Sequence, residues 1–341
     1  MKTEIISTEK QFPTVNFIGN KEKIAKWIFE NIRVEGKTFF DAFSGGCSVS
    51  FEAKKRGCKV ITNDILKINS LISKAIIENN KIKLTDADLE IIFSGKPIKG
   101  FMHKTFSNVN FFPEECMELD QYRQNIEQIT DPYKKALAFI LFRRSMIRKM
   151  PYSRFTIPWE KVKQLRDEEF SYKYYKRRRA YHNQTIKEHF IENLKEYNDS
   201  IFDNAQDNKS YNQDIFELIP KIEADIAYLD PPYAGTMNNY YGFYSLLDSF
   251  VVGKKIEPFK NDFTNKKTVL ELFDKLFSKM RKFEYWILSY NNNAYPQKNQ
   301  ILELINKHSK NVEVLERKHN YQISGTALKN KNREYLFIVR N

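Results

Sequence analysis

Short apolar runs alternate with amphipathic stretches near the start of the chain. Residues 37–43 form an apolar run typical of a buried strand, followed by a turn signal at Ser44–Gly46 and a helical pattern over residues 48–56. A second short strand is predicted over residues 58–62, and residues 69–80 have the spacing of an amphipathic helix. Two strand–helix units in succession predict a parallel, doubly wound α/β sheet.

This pattern is interrupted in the middle of the chain and then returns. Residues 84–205 are mostly helical in pattern and rich in basic side chains, and a strand signal reappears over residues 224–229. Further helices are predicted over residues 266–282 and 297–309, and further strands over residues 285–289, 311–315 and 335–339. The simplest interpretation is one α/β domain that is split in sequence by a helical insertion.

Basic charge is concentrated in the insertion. The whole chain has 56 Lys and Arg against 43 Asp and Glu, a net charge of +13, and residues 133–195 alone hold 17 Lys or Arg against six Asp or Glu. A charge run is usually a solvated helical face, but this concentration favours binding to a phosphate backbone. The candidate DNA-binding residues are Arg143, Arg144, Arg148, Lys149, Arg154, Lys176, Arg177, Arg178 and Arg179.

Composition excludes several other classes of protein. The sequence has no apolar run of about 18 residues, so we expect no membrane span, and its first ten residues do not resemble a secretory signal. Three cysteines, Cys47, Cys58 and Cys116, do not indicate a disulfide framework, and no Cys/His spacing resembles a zinc site. We therefore expect a cytoplasmic, nucleoid-associated protein without a bound metal.

The most specific motif is the Asp-Pro-Pro-Tyr sequence at residues 230–233, directly after an apolar strand. The carboxyl ends of parallel strands are where α/β sheets place ligands, and two prolines make a stiff turn after the strand. Asp230 and the Pro231 carbonyl can each accept a hydrogen bond from a planar amino group, while Tyr233 can stack on the ring that carries it. A strand-ending turn with a surface tyrosine is the alternative.

A strand, a glycine turn and a helix also follow one another over residues 39–48. Glycine allows close approach of a ligand to the backbone, and a helix N-terminus favours an anionic group such as a carboxylate. Asp64 follows the next strand, about 20 residues after the glycines, where an acid is placed to bind ribose hydroxyls. The alternative for Asp64 is a helix N-cap.

In chain order, these segments resemble the Dam-type, alpha-group adenine-N6 DNA methyltransferases, which use S-adenosylmethionine. FSGG at residues 43–46 matches the cofactor loop of that family, Asp64 matches its ribose acid, and DPPY at residues 230–233 is its catalytic motif. NFIGNK at residues 16–21 resembles the opening KWxGGK motif, with Phe17 in place of the cofactor-contacting Trp and Lys21 matching the Lys.

The resemblance extends into the insertion and to the end of the chain. Residues 148–158 align without gaps to the family's DNA-contacting RxNxxGxFNVP stretch, retaining Arg148, Phe155 and Pro158. ISG at residues 323–325 together with REYL at residues 333–336 resembles its closing hairpin. The implied fold is a Rossmann-like, doubly wound methyltransferase domain (residues 1–84 and 206–341) with an inserted, mostly helical target-recognition domain (residues 85–205).

Site residues also follow from the resemblance. Asp214 and Ile215 match the acid-plus-apolar pair that holds the adenine of the cofactor. The implied catalytic set is Asp230, Pro231, Pro232 and Tyr233. The implied set for S-adenosyl-L-methionine is Phe17, Lys21, Asp41, Phe43, Ser44, Gly45, Gly46, Asp64, Asp214, Ile215 and Asp230.

The predicted function is transfer of a methyl group from S-adenosylmethionine to N6 of an adenine flipped out of double-stranded DNA, in restriction-modification or as a solitary methylase. A cognate restriction endonuclease is a candidate partner. The same amino-group chemistry would serve a cytosine-N4 or an RNA adenine-N6 methyltransferase, and a catalytically silent DNA-binding subunit is a third alternative. Asp rather than Ser before the prolines favours adenine by family analogy.

Overall fold

The computed structural model describes residues 10–17, 19–234, 240–257, 262–319 and 332–341. Within them, a seven-stranded sheet has the order β3-β2-β1-β4-β5-β7-β6. The strands are β1 (Thr38–Asp41), β2 (Lys59–Asn63), β3 (Lys209–Tyr211), β4 (Ile226–Leu229), β5 (Tyr285–Asn291), β6 (Val312–Lys318) and β7 (Arg333–Arg340). β1 to β5 pair in parallel, while β7 is antiparallel to both of its neighbours. The predicted doubly wound α/β fold is confirmed.

Helices surround this sheet and fill the chain between β2 and β3. Those before and within that long interval are α1 (Glu22–Glu30), α2 (Ser48–Lys55), α3 (Lys67–Ser73), α4 (Asp86–Ile92), α5 (Phe101–Phe106), α6 (Pro113–Ile126), α7 (Pro132–Lys149), α8 (Trp159–Arg166), α9 (Glu168–Tyr175), α10 (Ala180–Asn183) and α11 (Ile186–Asp199). Those that follow β3 are α12 (Ile215–Leu218), α13 (Tyr240–Val252), α14 (Val269–Met280) and α15 (Lys298–His308). Among these described helices, none is long and apolar enough to cross a membrane.

The sheet separates two apolar cores because successive side chains of a strand point to opposite faces. Phe39 of β1 belongs to one core and its neighbour Phe40 to the other. Strands buried on both faces read as continuous apolar runs, which is why the first strand was legible in the sequence. α14 and α15 pack in the core of Phe40, with Phe273 and Ile301 fully buried there.

The helical segment between the two halves of the sheet packs into the core of Phe39. Phe142 of α7 is buried in the same apolar cluster as Phe39, and α7 contacts both α3 and α11. The division into residues 1–84 with 206–341 and residues 85–205 stays a prediction, because this apolar core continues from the sheet into the helices.

Candidate active site

The carboxyl ends of four parallel strands bring the predicted acids to one edge of the sheet. Asp41 is the last residue of β1, and Asp64 and Asp230 directly follow β2 and β4. Asp214 lies three residues beyond the end of β3. These residues are far apart in sequence, and the parallel register of β1 with β2 and β4 aligns their ends.

The glycine turn between β1 and α2 is held against the end of β2 by Asp64. The Gly45 amide donates to Asp64 Oδ2 at 2.9 Å, and the Leu66 amide donates to Oδ1 at 2.8 Å. Burial raises the pKa of Asp64 to about 6, although both amide hydrogen bonds oppose that rise. Asp64 therefore fixes the conformation of the turn and of the loop before α3. Each of its two carboxylate oxygens has a second lone pair with which to accept from a ligand.

Phe17 lies on this turn and explains why two glycines are needed there. A Cβ atom on Gly45 would lie 2.7 Å from Cε1 of Phe17, and one on Gly46 would lie 2.8 Å from its Cβ. Gly45 also has a φ of +49°, which disfavours other residues. The Phe17 ring stacks on Tyr244 of α13, with ring centroids 5.4 Å apart and an interplanar angle of 16°.

Asp230 is held by a buried lysine and by the tyrosine of its own motif. Lys21 Nζ donates to Asp230 Oδ1 at 2.8 Å and to Oδ2 at 2.9 Å, and the Lys21 side chain is only 2% exposed. The Tyr233 hydroxyl donates to Asp230 Oδ1 at 2.8 Å and accepts from Lys21 Nζ at 2.9 Å. The ring of Tyr233 packs edge-on against Tyr290, with centroids 5.1 Å apart.

A second buried carboxylate, which the sequence interpretation did not assign to the site, completes this cluster. Glu334 of β7 is fully buried, and its Oε1 lies 3.4 Å from Lys21 Nζ and 3.3 Å from the Tyr233 hydroxyl. Ser289 of β5 donates to the same oxygen at 2.6 Å. The sequence feature that could have identified Glu334 is its position as an acid in the apolar run of the last strand, because buried acids are rare unless they are paired.

Burial dominates the acidity of the carboxylates at this edge. It raises the pKa of Asp230, an effect that Lys21 opposes and Glu334 reinforces. The pKa of Asp41 is raised to about 7, chiefly by burial, while the hydrogen bond from Ser50 at 2.5 Å lowers it and Asp230 raises it further. Oδ1 of Asp41 is buried and has no hydrogen-bond partner among the described residues.

The remaining predicted site residues lie at or beside the same edge. Phe43 packs edge-on against Phe263, with centroids 5.3 Å apart. Asp214 caps α12 by accepting from the Phe216 amide at 2.7 Å, and the adjoining Ile215 is buried. Ser44 is also buried and its hydroxyl lies 3.1 Å from that of Ser73, while Pro231 is buried and Pro232 half-buried.

The predicted DNA-binding residues divide into an interior group and a surface group. Arg143 is 1% exposed, and its guanidinium donates to the backbone carbonyls of Val15 and Asn16. Arg144 and Lys149 are also buried; Lys149 Nζ donates to the carbonyls of Tyr181 and Gln184, both at 2.9 Å. The side chains of these three cations therefore bind other groups of the protein rather than solvent.

The other members of that set are nearer to solvent. Arg148 is half-buried, whereas Arg154, Lys176, Arg177 and Arg178 are exposed. Half-buried Arg179 lies over the ring of Tyr175, with its guanidinium carbon 4.2 Å from the ring centroid. The predicted hairpin residues 323–325 lie outside the described residues, whereas residues 333–336 belong to β7.

Comparison with known proteins identifies the family that has this combination of motifs. The family described as D12 class N6 adenine-specific DNA methyltransferase matches residues 17–301. The Type II methyltransferase M2.HphI of Haemophilus parahaemolyticus is 55% identical over 331 residues, covering 97% of this chain and 98% of that protein. The Type II methyltransferase M.CviAII of Paramecium bursaria Chlorella virus 1 is 25% identical over 356 residues, covering 95% and 98% of the two chains.

Proposed function

Because this chain belongs to the D12 class of N6 adenine-specific DNA methyltransferases, we propose that the cluster around Asp230 is its methyl-transfer site. The family assignment decides among the alternatives left by the sequence in favour of an enzyme that methylates adenine N6 in DNA. The observation that carries the assignment of the site is the placement of Asp230. It follows β4 at the ligand-binding edge of the sheet, and Lys21 contacts both of its oxygens.

We further propose that S-adenosylmethionine, the methyl donor, binds between the glycine turn and Asp230. This donor carries a sulfonium and an ammonium group, and the edge offers the carboxylates of Asp41 and Asp230, whose pKa values are raised by burial. The buried Oδ1 of Asp41, without a partner among the described residues, fits a cationic ligand. When bound, the cofactor supplies a methyl group already activated by its positive sulfur.

The chain's own residues then orient the acceptor. The lone pair of adenine N6 is delocalised into the ring, so hydrogen bonds from the amino group to Asp230 and to the Pro231 carbonyl favour a pyramidal nitrogen with an available lone pair. The same contacts stabilise the positive charge that develops on N6 during attack. Each carboxylate oxygen has two lone pairs, so Asp230 can hold Lys21 and accept from the amino group together.

The base must leave the duplex to reach this edge, at a cost of a few kcal/mol. Tyr233 is the candidate to stack on the flipped base, since it adjoins Asp230 and is half-buried. The exposed cations Arg154, Lys176, Arg177 and Arg178 are the proposed contacts to DNA phosphates. Buried Arg143, Arg144 and Lys149 are left out of that set, since their donors are used inside the protein.

Substitution of Asp230 by Asn tests the site. It keeps the size of the side chain but removes the charge and one acceptor, and we expect the rate of labelled-methyl transfer to DNA to fall by about 100- to 1000-fold. The matched control is Asp274→Asn on α14, a partly exposed acid that pairs with His308 at 2.9 Å and is not part of the cluster around Asp230. A folded Asp230→Asn protein with the wild-type rate would contradict the assignment.

The relatives named as Type II methyltransferases support a role in restriction-modification, with a cognate restriction endonuclease as partner. Expression in a methylation-free host, followed by mapping of modified bases, would show adenine N6 methylation in one sequence context. If a restriction endonuclease is encoded beside the gene, protection of that DNA from it would support the partner. Cleavage at fully methylated sites would rule out that endonuclease as the cognate partner.

A further inference from the structure

Glu334 contacts two of the side chains that hold Asp230, although it lies about 100 residues away in the chain. Its Oε1 lies within 3.4 Å of Lys21 Nζ and of the Ser289 hydroxyl, which donate to it, and of the Tyr233 hydroxyl, whose single proton goes either to it or to Asp230. Lys21 and Tyr233 are also the described partners of the Asp230 carboxylate. Lys21 is thus a buried cation shared by two acids.

Keeping Glu334 at this position is costly for the fold. An ionised carboxylate loses several kcal/mol of hydration when it is buried, and good pairing repays this only in part. The following residues of β7, such as Leu336 and Ile338, fill buried positions with apolar side chains. A purely structural requirement would be met equally well by such a residue, so the acid points to a role in the site.

We propose that Glu334 is a positioning residue for methyl transfer, sharing Lys21 and the Tyr233 hydroxyl with Asp230 so that the Asp230 carboxylate keeps acceptor capacity for the adenine amino group. This inference rests on the proposed role of Asp230. Without the charge of Glu334, the pull of Lys21 on Asp230 is no longer shared between two acids, and Lys21 draws the Asp230 carboxylate away from the incoming amino group. The Tyr233 hydroxyl likewise loses Glu334 as an alternative carboxylate acceptor for its single proton.

The same arrangement sets the acidity of Asp230. Glu334 raises the pKa of Asp230 and Lys21 lowers it, both in addition to the larger effect of burial. The titratable groups that act on Asp230 or face it from neighbouring elements are Lys21, Asp41, Tyr228, Tyr233, His319 and Glu334. Among them, Glu334 is an acid that a neutral isostere can replace without changing the motif.

The test is Glu334→Gln, measured by single-turnover methyl transfer to DNA across a range of pH. We expect the rate constant to fall by about 10- to 100-fold, the loss typical of a misplaced catalytic group, while the S-adenosylmethionine concentration that gives half of the maximal rate stays within about twofold of wild type. The acidic limb of the pH–rate profile should move to lower pH, because the pKa of Asp230 falls when a neighbouring negative charge is removed. A merely structural defect would not shift that limb.

Three further variants keep the result interpretable. Ser289→Ala removes the hydroxyl that donates to Glu334 but keeps the charge of Glu334, so the acidic limb should stay at its wild-type position. If Glu334→Gln does not fold, Glu334→Asp carries the test: it moves the charge back by one methylene, so the rate should fall and the acidic limb should move to lower pH by less than in Glu334→Gln, and an unshifted limb would overturn the inference. The matched control is Glu313→Gln on β6, an exposed acid of the neighbouring strand paired with Arg340, which should leave rate and profile unchanged.

The outcomes separate this inference from the proposed function. A wild-type rate in Asp230→Asn would overturn the role of Asp230 and the inference with it. Loss of activity in Asp230→Asn, together with a wild-type rate and pH profile in Glu334→Gln, would overturn the inference alone. A lower rate in Glu334→Gln with an unshifted acidic limb would assign Glu334 a structural role and would also overturn it.

Discussion

Charged side chains are concentrated in two regions of this molecule, and the two regions differ in how far those side chains are buried. At the carboxyl edge of the sheet, Asp41, Asp64 and Glu334 are buried acids with named partners. In the helical segment, cations that look alike in sequence separate into buried Arg143 and exposed Arg177. Buried charge is costly and needs specific partners, whereas exposed charge acts through the long-range field.

Arg143 shows what an interior cation does here. It belongs to the long helix α7, and its guanidinium donates to the carbonyls of Val15 and Asn16, directly before Phe17. Phe17 in turn lies on the glycine turn. A residue that the sequence suggested as a DNA contact therefore fixes the segment that covers the proposed cofactor site, which connects the helical segment to the sheet edge.

The largest difference between interior and surface cations should appear in the stability of the fold when each kind is replaced. Arg143→Met removes the donor to the buried carbonyl of Val15 and to the partly buried carbonyl of Asn16, and we expect the free energy of unfolding to fall by about 3 kcal/mol. Arg177→Met removes an exposed charge and should change it by less than about 0.5 kcal/mol. Urea unfolding of both variants measures the difference, and equal losses would mean that exposure does not distinguish the two arginines.

Local motifs made much of the sheet edge predictable. The strand, glycine turn and helix around Gly45, and the DPPY sequence that begins at Asp230, are continuous in sequence, so strand ends and site acids could be placed together. β3 was not predicted, because a three-residue Lys-Ser-Tyr strand has no apolar run and forms by pairing with β2. Its position depends on tertiary structure rather than on its own pattern.

The residues whose partners sequence reasoning did not foresee depend on contacts that only folding supplies. Arg143 stands in a basic pair, which resembles a DNA contact until α7 packs against the segment before Phe17. Glu334 was visible only as part of a closing strand, and its role requires Lys21 and Tyr233, which the topology brings from distant parts of the chain. Residue type and spacing do not report such long-range pairing.

A smaller effect is expected for the buried acid Asp41, which should make the free energy of unfolding depend on pH in a way that surface charges do not. Its pKa of about 7 in the folded state exceeds the ordinary 3.8, so the folded protein binds more protons between these values. Stability from this group is therefore fully present below about pH 4 and is lost as the pH rises towards about 7. Asp41→Asn should remove this loss and be more stable than wild type at pH 8.

Urea unfolding at pH 5 and pH 8 measures that change, and the difference between wild type and variant isolates Asp41. Asp64 and Asp248, whose pKa values are raised to about 6, titrate in both proteins, so most of their contribution drops out of this difference. The same variant should bind S-adenosylmethionine about tenfold more weakly by calorimetry, since a charged hydrogen-bond acceptor is lost. If the free energy of unfolding changed equally between pH 5 and pH 8 in wild type and variant, Asp41 would not titrate in this range.

The smallest effect on stability, and the most specific effect on DNA, should come from the exposed cations. Replacing Lys176, Arg177 and Arg178 together by Ala should change the free energy of unfolding by less than about 0.5 kcal/mol per site. The slope of log affinity for DNA against log salt concentration should nevertheless fall in magnitude by about 2 to 3. With three fewer phosphate contacts, fewer counterions are released from the DNA on binding. Fluorescence anisotropy at several salt concentrations measures the slope.

The control for that slope must remove equal charge from another layer of the molecule. It replaces three exposed lysines on or beside α14 and α15: Lys275, Lys307 and Lys310. These helices pack in the core of Phe40, whereas the helical segment packs in the core of Phe39 on the other face of the sheet. If contact with phosphates rather than net charge sets the slope, the control triple keeps the wild-type slope. An equal decrease in both triples would mean that only the overall field attracts DNA, and that the exposed cations before α10 do not touch it.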